Sequence, residues 1–527
     1  MDNLSKFVTL DPLNGMNKED PARVQNLVNG NWSEISHFRE DLPDPLTGEH
    51  FLDVPDTKDF SAFVDNLDAC PKSGMHNPLK NVERYLMYGE VCAKASELLR
   101  NKEVEEFFWR LIQRVMPKSK KQCLGEVIVT RVFLENFSGD NVRFLARSFS
   151  NPGDHLGQES SGYRWPFGAV SVIAPFNFPL EIPALQVLGA LFMGNRPLVK
   201  VDSKVSVVFE QFLRLLIHCG MPPSDLDFIN CRGETMGELI KQSKNKIRLI
   251  QFTGSKEVAD KIAVETKGKI KIEDAGFDWK IIGPDYDPSW IDYIAWQCDE
   301  DAYNASGQKC SAQSLLFIHK NWEKDLIPKL KKLSQRRRLE NLSLGPILSW
   351  NNQQLLDHIN VLLKIPGAEC LFGGEELVNH SIPPVYGSMQ ATAIKIPVDE
   401  LLGKNFNNIT KEVFGPFQVI IVYEDSDLPT IKETLERISQ NLTAAIVSND
   451  VFFQRDILSC TVNGTTYTGM KARTTGAPQN HWFGPSGDPR SAGIGTPEAI
   501  VSTWSGHREI VKDMGPLDTQ WVIPDIS

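Results

Sequence analysis

The sequence predicts an α/β fold in which parallel sheets carry helices on both faces, and three observations lead to this expectation. Between residues 169 and 272, short apolar segments alternate with amphipathic helical segments. A second alternating series follows Cys310. The chain has 527 residues, more than one compact core can organise, so we expect two or three domains.

The two series set the predicted order of elements. Glycines end several of the helical segments, and Ser255 can cap the start of one. In the first series the predicted strands are 170–173, 198–201, 226–229, 247–252 and 270–272, and the predicted helices are 180–192, 205–219, 236–242 and 256–265. A helix at 291–302 precedes Cys310 and a strand at 315–318 follows it. The second series continues with helices at 326–333, 355–363 and 428–442 and a strand at 419–422.

The rest of the chain has weaker patterns. Residues 21–54 are typical of an arm with turns, and residues 56–116 have helical periodicity. Residues 145–168 are polar and predict a hairpin that leaves the first domain at a subunit contact. We expect the tail after Pro497 to be short and to lie on another subunit.

Composition excludes several classes of function. The net charge of −11 argues against a nucleic-acid-binding surface, which would be basic. Nine cysteines without a CxxC motif indicate free thiols in a reducing compartment and no structural metal. The longest apolar stretch, 169–194, is interrupted by Asn177, Glu181 and three prolines, so we expect no membrane span.

One thiol lies in a small, polar segment, 305–314, between a predicted helix and a predicted strand. Little bulk surrounds Cys310 there, so a substrate carbon could approach its sulfur, and backbone N–H groups could stabilise a thiolate or an oxyanion. The alternative is a small, buried cysteine without reactivity. Groups elsewhere in the chain have to decide between the two.

Three polar residues lie at the ends of predicted strands, where parallel sheets bind ligands: Asn177, Lys200 and Glu273. Asn177 could donate to an oxyanion, Lys200 could reach a ribose or a phosphate, and Glu273 could act as a general base. The alternatives are a turn-forming asparagine, a solvent-facing lysine and a surface glutamate.

A dinucleotide site is the next expectation, although the usual G-x-G-x-x-G fingerprint is absent. The turn 252–255 before a helix is the better candidate for a phosphate, and the segment of Gly233 and Gly237 is the other. A thiol, an amide, a carboxylate and a lysine together suggest one reaction. The thiolate adds to an aldehyde, hydride leaves to a nicotinamide, and the carboxylate activates water against the thioester.

Seven segments in order resemble the NAD(P)-dependent aldehyde dehydrogenase superfamily over nearly the whole chain. They are 175–179 (PFNFP), Gly194-Asn195 leading to Lys200, 252–255 (FTGS), Glu273, 307–310 (GQKC), 412–416 (EVFGP) and 442–445 (LTAA). The resemblance implies a Rossmann-type NAD-binding domain, an α/β catalytic domain and a small β bridging or oligomerisation element. We assign these to residues 1–144 with 165–280, to 281–497, and to 145–164 with 498–527.

The resemblance also implies residue roles. Cys310 is the nucleophile, Glu273 the general base, and Asn177 the oxyanion donor together with the Cys310 backbone N–H. The implied cofactor is NAD, with NADP less favoured, although Ser203 stands where many relatives have a carboxylate that binds both ribose hydroxyls. The implied cofactor-binding residues are Ala174, Pro175, Phe176, Lys200, Ser203, Gly233, Gly237, Ser255, Val258, Glu412 and Phe414.

Within the superfamily, Cys310-Ser311 and the segments 176–178 and 474–477 look like the plant-type Δ1-pyrroline-5-carboxylate dehydrogenases, which oxidise glutamate γ-semialdehyde in proline catabolism. There the serine after the nucleophile and a Gly-Ala backbone hold the substrate carboxylate, although an ordinary loop is the alternative. The implied substrate-binding residues are Phe178, Ser311, Gly476, Ala477 and Phe483.

Two further departures from the family pattern stand out. Glu-Asp-Ala-Gly replaces the usual Glu-Leu-Gly-Gly at residues 273–276, and the spacing from Glu273 to Cys310, 37 positions (310 − 273), implies an insertion. We expect a small-molecule substrate and a homo-oligomer, at least a dimer. By resemblance we expect the mitochondrial matrix, although no transit peptide is visible in this chain.

Other functions remain open at this point. The enzyme could act on another small acidic aldehyde such as succinic semialdehyde, because a serine and backbone amides hold any carboxylate. A non-catalytic structural or cofactor-binding homologue, and a thiol esterase without cofactor, are the readings from other classes. The intact set of Cys310, Glu273 and Asn177 argues against a non-catalytic homologue. In a thiol esterase without cofactor, Lys200, Glu412 and Phe414 would have no function.

Overall fold

The computed structural model describes residues 4–33, 37, 39, 41–274, 276–476 and 482–527. In this part of the chain the strands form two seven-stranded sheets, one three-stranded sheet and one two-stranded sheet. Helices pack on both faces of the two large sheets, so the predicted α/β class is confirmed.

The first large sheet supplies the strand ends on which Asn177, Lys200 and Glu273 were expected. Alternate side chains of its strands enter two cores, Val170 and Val172 on one face and Ile250 and Ile272 on the other, because successive residues of a strand point to opposite faces. Five strands are parallel, and the two from the N-terminal arm are antiparallel. In spatial order they are Ile270–Glu273, Leu249–Thr253, Ala169–Ala174, Arg196–Val201, Asp227–Phe228, Asn26–Val28 and Asn31–Ser33.

The second large sheet carries the strand that follows Cys310. It too lies between two cores: Leu315 and Phe317 enter one of them, and Leu316 and Ile318 enter the other. All pairs are parallel except the one at the first edge. In spatial order the strands are Glu369–Phe372, Thr392–Lys395, Phe417–Tyr423, Gln313–His319, Asp278–Ile282, Thr443–Val447 and Thr465–Thr468.

A smaller antiparallel sheet joins Ser150–Pro152, Gln158–Pro166 and Ser505–Asp513. The predicted hairpin within 145–168 is therefore confirmed. The chain after Pro497 forms more structure than the short tail we expected, because helix Pro497–Trp504 leads directly into the strand Ser505–Asp513.

A buried amide ties this last helix to the first domain. Asn195 Nδ2 donates to the Trp504 carbonyl at 2.9 Å, and Asn195 Oδ1 accepts from the Phe167 and Gly168 N–H groups at 2.8 and 3.1 Å. Asn195, in one of the seven family segments, thus connects the start of the first large sheet with the helix that leads into the small sheet.

The helices largely follow the predicted periodicity. The predicted helix 205–219 is observed as Ser206–His218, whereas the prediction 428–442 was wrong beyond Arg437, because Ile438 turns to an extended backbone with ψ of 122°. Ile438 and Leu442 are nevertheless buried, which is why the apolar pattern continued past the end of the helix. Among the described residues, no helix is long and apolar enough to cross a membrane.

The α-helices span Ser61–Ala69, Glu83–Arg100, Lys102–Val115, Lys120–Asn136, Asn141–Phe144, Glu181–Phe192, Ser206–His218, Gly233–Ser243, Lys256–Glu265, Ile291–Tyr303, Lys320–Ser334, Asn352–Leu363, Phe406–Ile409, Leu428–Arg437, Val451–Leu458 and Pro497–Trp504. Short 3₁₀ turns span Leu4–Lys6, Pro223–Asp225, Pro288–Trp290, Asn304–Gly307, Val398–Glu400 and Asp425–Asp427. The two-stranded sheet pairs Ala22–Arg23 with Leu52–Asp53.

Candidate active site

The predicted nucleophile Cys310 follows a strained stretch of backbone. Ala305, Ser306 and Gly307 have positive φ angles of 53°, 56° and 69°. A left-handed conformation is unfavourable for residues that carry a Cβ, and such strain persists only where surrounding contacts hold it. The loop that presents Cys310 therefore has to be held from outside.

Side chains of the loop itself provide part of this hold. Ser306 Oγ accepts from the Gly345 N–H at 2.7 Å. Gln308 Nε2 donates to the Pro346 carbonyl at 2.9 Å, while Gln308 Oε1 accepts from the Leu348 N–H at 2.8 Å. Gln308, two residues before Cys310, thus fastens the loop to the segment 345–348 with both the N–H₂ group and the oxygen of its amide.

Close packing provides the rest. A Cβ added to Gly307 would lie 1.9 Å from the Gly415 carbonyl oxygen, a contact that no side chain can make. The family segments 307–310 and 412–416 are therefore in direct contact, and glycine at 307 is required by this approach as well as by its positive φ.

Glu273 and Cys310 are brought together from different sheets. Glu273 ends the edge strand of the first sheet, and Cys310 precedes a central strand of the second. The Glu273 carboxyl and the Cys310 thiol line the same cavity and lie close enough for each to shift the pKa of the other. Burial raises the pKa of Glu273 to about 7, with the thiol contact opposing the shift. Burial and the charge of Glu273 raise the pKa of the Cys310 thiol well above its ordinary value.

A carboxylate with a pKa near 7, in contact with a protonated thiol, can take the thiol proton when the sulfur bonds to carbon. The second oxygen, Glu273 Oε1, is buried without a hydrogen-bond partner among the described residues, so it is available to a further donor such as water. This pair has the chemistry of an activated nucleophile and its base.

Asn177 lies in the turn after strand Ala169–Ala174 and is 2% exposed. Its side-chain Oδ1 has no partner within the described part of the chain, and its backbone carbonyl accepts from Lys118 Nζ at 2.9 Å. Phe178, the next residue, lines the cavity that contains Cys310. The turn thus has a fixed backbone and one buried amide side chain.

A buried ion pair supports this turn, and nothing in the sequence pattern had suggested it. Lys118 Nζ lies 2.7 Å from Glu126 Oε2, and both side chains are fully inaccessible. Glu126 Oε1 accepts from the Leu180 and Glu181 N–H groups at 2.7 and 3.1 Å, and Lys118 Nζ lies 4.2 Å from the centre of the Phe178 ring. Lys118 and Glu126 therefore hold residues 177–181, because each bonds both to the other and to backbone groups of this segment.

The thiol opens into a cavity of about 430 Å³ between the two large sheets. Four of the five predicted substrate residues line it, namely Phe178, Ser311, Gly476 and Phe483, and Cys310 and Glu273 line it as well. Ala477 lies outside the described residues. Trp296, Leu185 and Ile182 supply apolar wall, so the cavity can hold an aliphatic chain with polar ends.

The wall that carries Ser311 also carries a cation that the sequence reasoning missed. The Arg473 guanidinium donates to the Gly476 carbonyl and is half-buried. Thr474 fastens the same loop, because its Oγ1 donates to the Ser311 carbonyl at 2.7 Å. Arg473 immediately precedes the Thr-Thr-Gly segment, so proximity in sequence was the only available signal.

On the other side of Cys310, Glu412 lies against Gly276. A Cβ at Gly276 would lie 2.3 Å from Glu412 Oε1 and 3.0 Å from the Cys310 carbonyl oxygen, so the glycine leaves room for this carboxylate beside the thiol loop. Burial raises the pKa of Glu412 to about 7. The rings of Phe176 and Phe414 meet edge to face with centroids 5.9 Å apart.

The remaining predicted cofactor residues surround the same end of the first sheet. Ser255 precedes helix Lys256–Glu265 without a side-chain cap, so the first amides are available to an anion. Lys200 is partly exposed, and its Nζ lies 3.5 Å from the Val201 carbonyl. Gly233 and Gly237 face open space, Val258 is exposed, Pro175 is half-buried and Ala174 is buried.

These residues fit a nicotinamide dinucleotide in their chemistry: a free helix N-terminus, a half-exposed lysine, an aromatic pair and a carboxylate beside the thiol loop. Ser203 fits less well than expected, because it is 2% exposed and its Oγ faces the Cys231 carbonyl at 3.5 Å. No group of three or more His, Cys, Asp or Glu side chains within the described ranges is arranged to hold a metal ion.

The chain is similar in sequence to known proteins. The sequence model of the Aldehyde dehydrogenase family matches residues 85–484. A probable aldehyde dehydrogenase of Linum usitatissimum is 56% identical over 522 residues, 98% of this chain and 94% of the relative. The mitochondrial Delta-1-pyrroline-5-carboxylate dehydrogenase 12A1 of Arabidopsis thaliana is 54% identical over 523 residues, 98% of this chain and 93% of the relative.

Solved structures agree in fold. An NAD-dependent aldehyde dehydrogenase from Sinorhizobium meliloti superposes with a TM-score of 0.82 over 98% of this chain and 100% of that one, at 18% identity. A methylmalonate-semialdehyde dehydrogenase from Oceanimonas doudoroffii superposes with a TM-score of 0.80, covering 94% and 99% of the two chains, also at 18% identity. At this identity the likeness extends to the fold alone.

The Lys118–Glu126 pair generates a stability prediction. Replacing Lys118 by Met leaves the Glu126 charge buried without its partner, which we expect to cost about 3–5 kcal/mol. Lys320→Met is the matched control, because Lys320 also lies 2.7 Å from a carboxylate, Glu323, but is 56% exposed. We expect that control to change stability by less than about 1 kcal/mol. The comparison is made by denaturant unfolding, and equal losses in the two variants would contradict this assignment.

Proposed function

The chain belongs to the aldehyde dehydrogenase family, and from that premise we propose that it oxidises glutamate γ-semialdehyde, the open form of Δ1-pyrroline-5-carboxylate, to glutamate with NAD⁺. The observation that carries the proposal is that the Cys310 thiol and the Glu273 carboxyl lie side by side in one cavity, whose wall also carries hydroxyl groups and a guanidinium. The name of the relative from Arabidopsis thaliana, which matches along 98% of this chain, supports the choice of substrate.

The substrate carboxylate would bind to the wall formed by Ser311, Thr475, Gly476 and Arg473. Hydroxyls, a backbone N–H and a guanidinium are complementary to a carboxylate. Phe178 and Phe483 would enclose the aliphatic chain, and this orientation directs the aldehyde toward Cys310. Ala477 belongs to the same proposed set through the sequence pattern.

In the first step, Cys310 Sγ bonds to the aldehyde carbon and the thiol proton passes to the Glu273 carboxylate. The aldehyde oxygen becomes an oxyanion, which the Asn177 side-chain amide and the Cys310 backbone N–H stabilise. The Lys118–Glu126 pair holds the Asn177 turn during this change, so the donor is already placed when charge develops.

The cofactor would lie on the opposite side of the thiol, held by the Ser255 helix, Lys200, Glu412 and the rings of Phe176 and Phe414. A bound nicotinamide would supply the hydride acceptor for the carbon attached to Cys310, and loss of the hydride would convert that carbon to a thioester. Ser203 is uncharged and buried, so it would not repel the 2′-phosphate of NADP. We propose NAD over NADP from the family resemblance alone.

Glu273 first releases to solvent the proton that it took from the thiol. In the last step, the ionised Glu273 removes a proton from water and the water oxygen attacks the thioester carbon. The carbon–sulfur bond breaks, the Cys310 thiolate leaves and is reprotonated, and the carboxylic acid product departs. Glu273 Oε1, which has no hydrogen-bond partner among the described residues, is the atom that would accept the water proton.

For location and assembly, we propose the mitochondrial matrix and a homo-oligomer. The relative from Arabidopsis thaliana is named mitochondrial, and co-fractionation with a matrix marker tests the location. Ser505–Asp513 is an edge strand of the small sheet, and an edge strand presents unpaired backbone groups to a second chain.

The first prediction concerns activity. With glutamate γ-semialdehyde and NAD⁺, the parent protein should form NADH faster than with NADP⁺ or with succinic semialdehyde, and Cys310→Ala should lower the rate by about 10³-fold or more. Cys460→Ala is the control, because Cys460 is also a free thiol but does not line the cavity. A Cys310→Ala variant that keeps its rate would exclude the proposed nucleophile.

The second prediction concerns pH. Because only ionised Glu273 can accept a proton and burial raises its pKa to about 7, kcat/KM should rise with pH and level off above about pH 8. Glu273→Gln should lower kcat/KM by about 10²–10⁴-fold and remove this rise. A profile of unchanged shape in the variant would show that another group titrates.

The third prediction concerns assembly. Light scattering of the purified protein should give at least twice the chain mass of 59.2 kDa. A mass of one chain at micromolar concentration would refute the oligomer and, with it, the proposed use of the edge strand.

A further inference from the structure

Five carboxyl side chains line the cavity that contains Cys310. Three of them have ion-pair or hydrogen-bond partners, and a fourth, Glu273, lies next to the thiol. Glu126 is paired with Lys118, and Glu273 contacts the Cys310 thiol. Asp301 lies 2.7 Å from Lys280, and Glu300 accepts from Asn304 and Arg337 at 3.0 and 3.2 Å. The fifth is Glu181, whose side chain has no hydrogen bond or ion pair within the described part of the chain.

Glu181 is fixed in place while its carboxyl group stays open to the cavity. Its backbone N–H donates to Glu126 at 3.1 Å in the first turn of helix Glu181–Phe192, so the Lys118–Glu126 pair positions it. The side chain is only partly buried, and it lines the same cavity as the thiol and the Ser311 wall. All residues of this helix apart from Glu181 are buried.

The surroundings leave this carboxyl short of positive charge. Burial and the neighbouring Glu126 raise its pKa to about 8, against the weaker opposing effects of Lys118 and Lys309. Both lysines already have partners: Lys118 binds Glu126, and Lys309 Nζ donates to Thr475 Oγ1 at 3.3 Å. A carboxyl that is partly buried in a cavity wall without a counter-charge is favoured by a ligand that supplies one.

We propose that Glu181 binds the α-ammonium group of the substrate and makes the enzyme selective for an amino-bearing semialdehyde over the same chain without nitrogen. This rests on the proposed function and deepens it. The substrate would enter as a zwitterion, with its carboxylate on the Ser311, Gly476 and Arg473 wall and its ammonium on Glu181. The link from Lys309 to Thr475 connects the two subsites, because the charge of Lys309 acts on Glu181 while its Nζ contacts the carboxylate wall.

This binding has a chemical consequence for the substrate. A free amine can attack the aldehyde of its own chain and, with loss of water, close a cyclic imine that cannot react with Cys310. An amine held as ammonium by Glu181 has its lone pair bound to a proton, so the ring stays open. Glu181 would therefore keep the reactive aldehyde form in the cavity as well as select it.

The test compares glutamate γ-semialdehyde with 5-oxopentanoate, which has the same carbon chain and carboxylate but no amino group. Glu181→Gln keeps the size of the side chain and removes its charge. It should lower kcat/KM for the amino substrate by about 10–100-fold and change the value for 5-oxopentanoate by less than about twofold. Glu181→Asp, which keeps the charge, should retain part of the preference.

Glu300→Gln is the matched control, because Glu300 lines the same cavity but already has Asn304 and Arg337 as partners. It should change kcat/KM for the two substrates by the same factor. Equal losses for both substrates in Glu181→Gln would overturn the assignment of the ammonium subsite and leave the proposed function standing. A parent protein that oxidises neither substrate would overturn the proposed function itself.

Binding of the products provides a readout that needs no turnover. By calorimetry, L-glutamate should bind the parent protein more tightly than glutarate, and Glu181→Gln should bind the two equally. A preference for L-glutamate that survives in a folded Glu181→Gln variant would contradict the role of Glu181.

Discussion

The contact between the Glu273 carboxyl and the Cys310 thiol is the interaction on which the rest of the active site depends. It connects the edge strand of one large sheet with the loop before a central strand of the other, so it exists only when both sheets are formed and docked. Burial raises the pKa of both groups, and in the proposed reaction the proton passes from the thiol to the carboxylate. The proposed chemistry therefore takes place where the two sheets meet.

Several contacts elsewhere serve to hold these two groups in place. Gln308 and Gly307 fasten the strained loop of Cys310 to segments 345–348 and 412–416. Lys118 and Glu126 fasten the turn of Asn177 and the start of the following helix, where Glu181 lies. Positioning of this kind matters because a donor or base that is already placed needs no reorganisation in the transition state.

Much of the architecture could be predicted from local patterns, because the alternation of apolar strands and amphipathic helices depends only on residues that are close in sequence. Cys310, Glu273 and the turn of Asn177 could also be located, since each follows or precedes a strand in a recognisable segment. Lys118, Arg473 and the end of the helix at Arg437 could not, because their partners are distant in sequence or their apolar pattern continues past the element. Glu181 did carry a signal, because it is the one acidic residue in the apolar stretch 169–194. Burying a carboxylate there costs free energy unless a partner or a ligand compensates for it.

The most direct test of the account is to trap the covalent intermediate. Glu273→Gln removes the base that activates water, so a thioester formed slowly with glutamate γ-semialdehyde and NAD⁺ should persist after acid quenching. Peptide mass spectrometry should then find one glutamyl group on Cys310 and none on the other cysteines. An unmodified Cys310 after prolonged incubation, under conditions in which the parent protein turns over, would contradict the central claim that the aldehyde carbon is bonded to this thiol during oxidation.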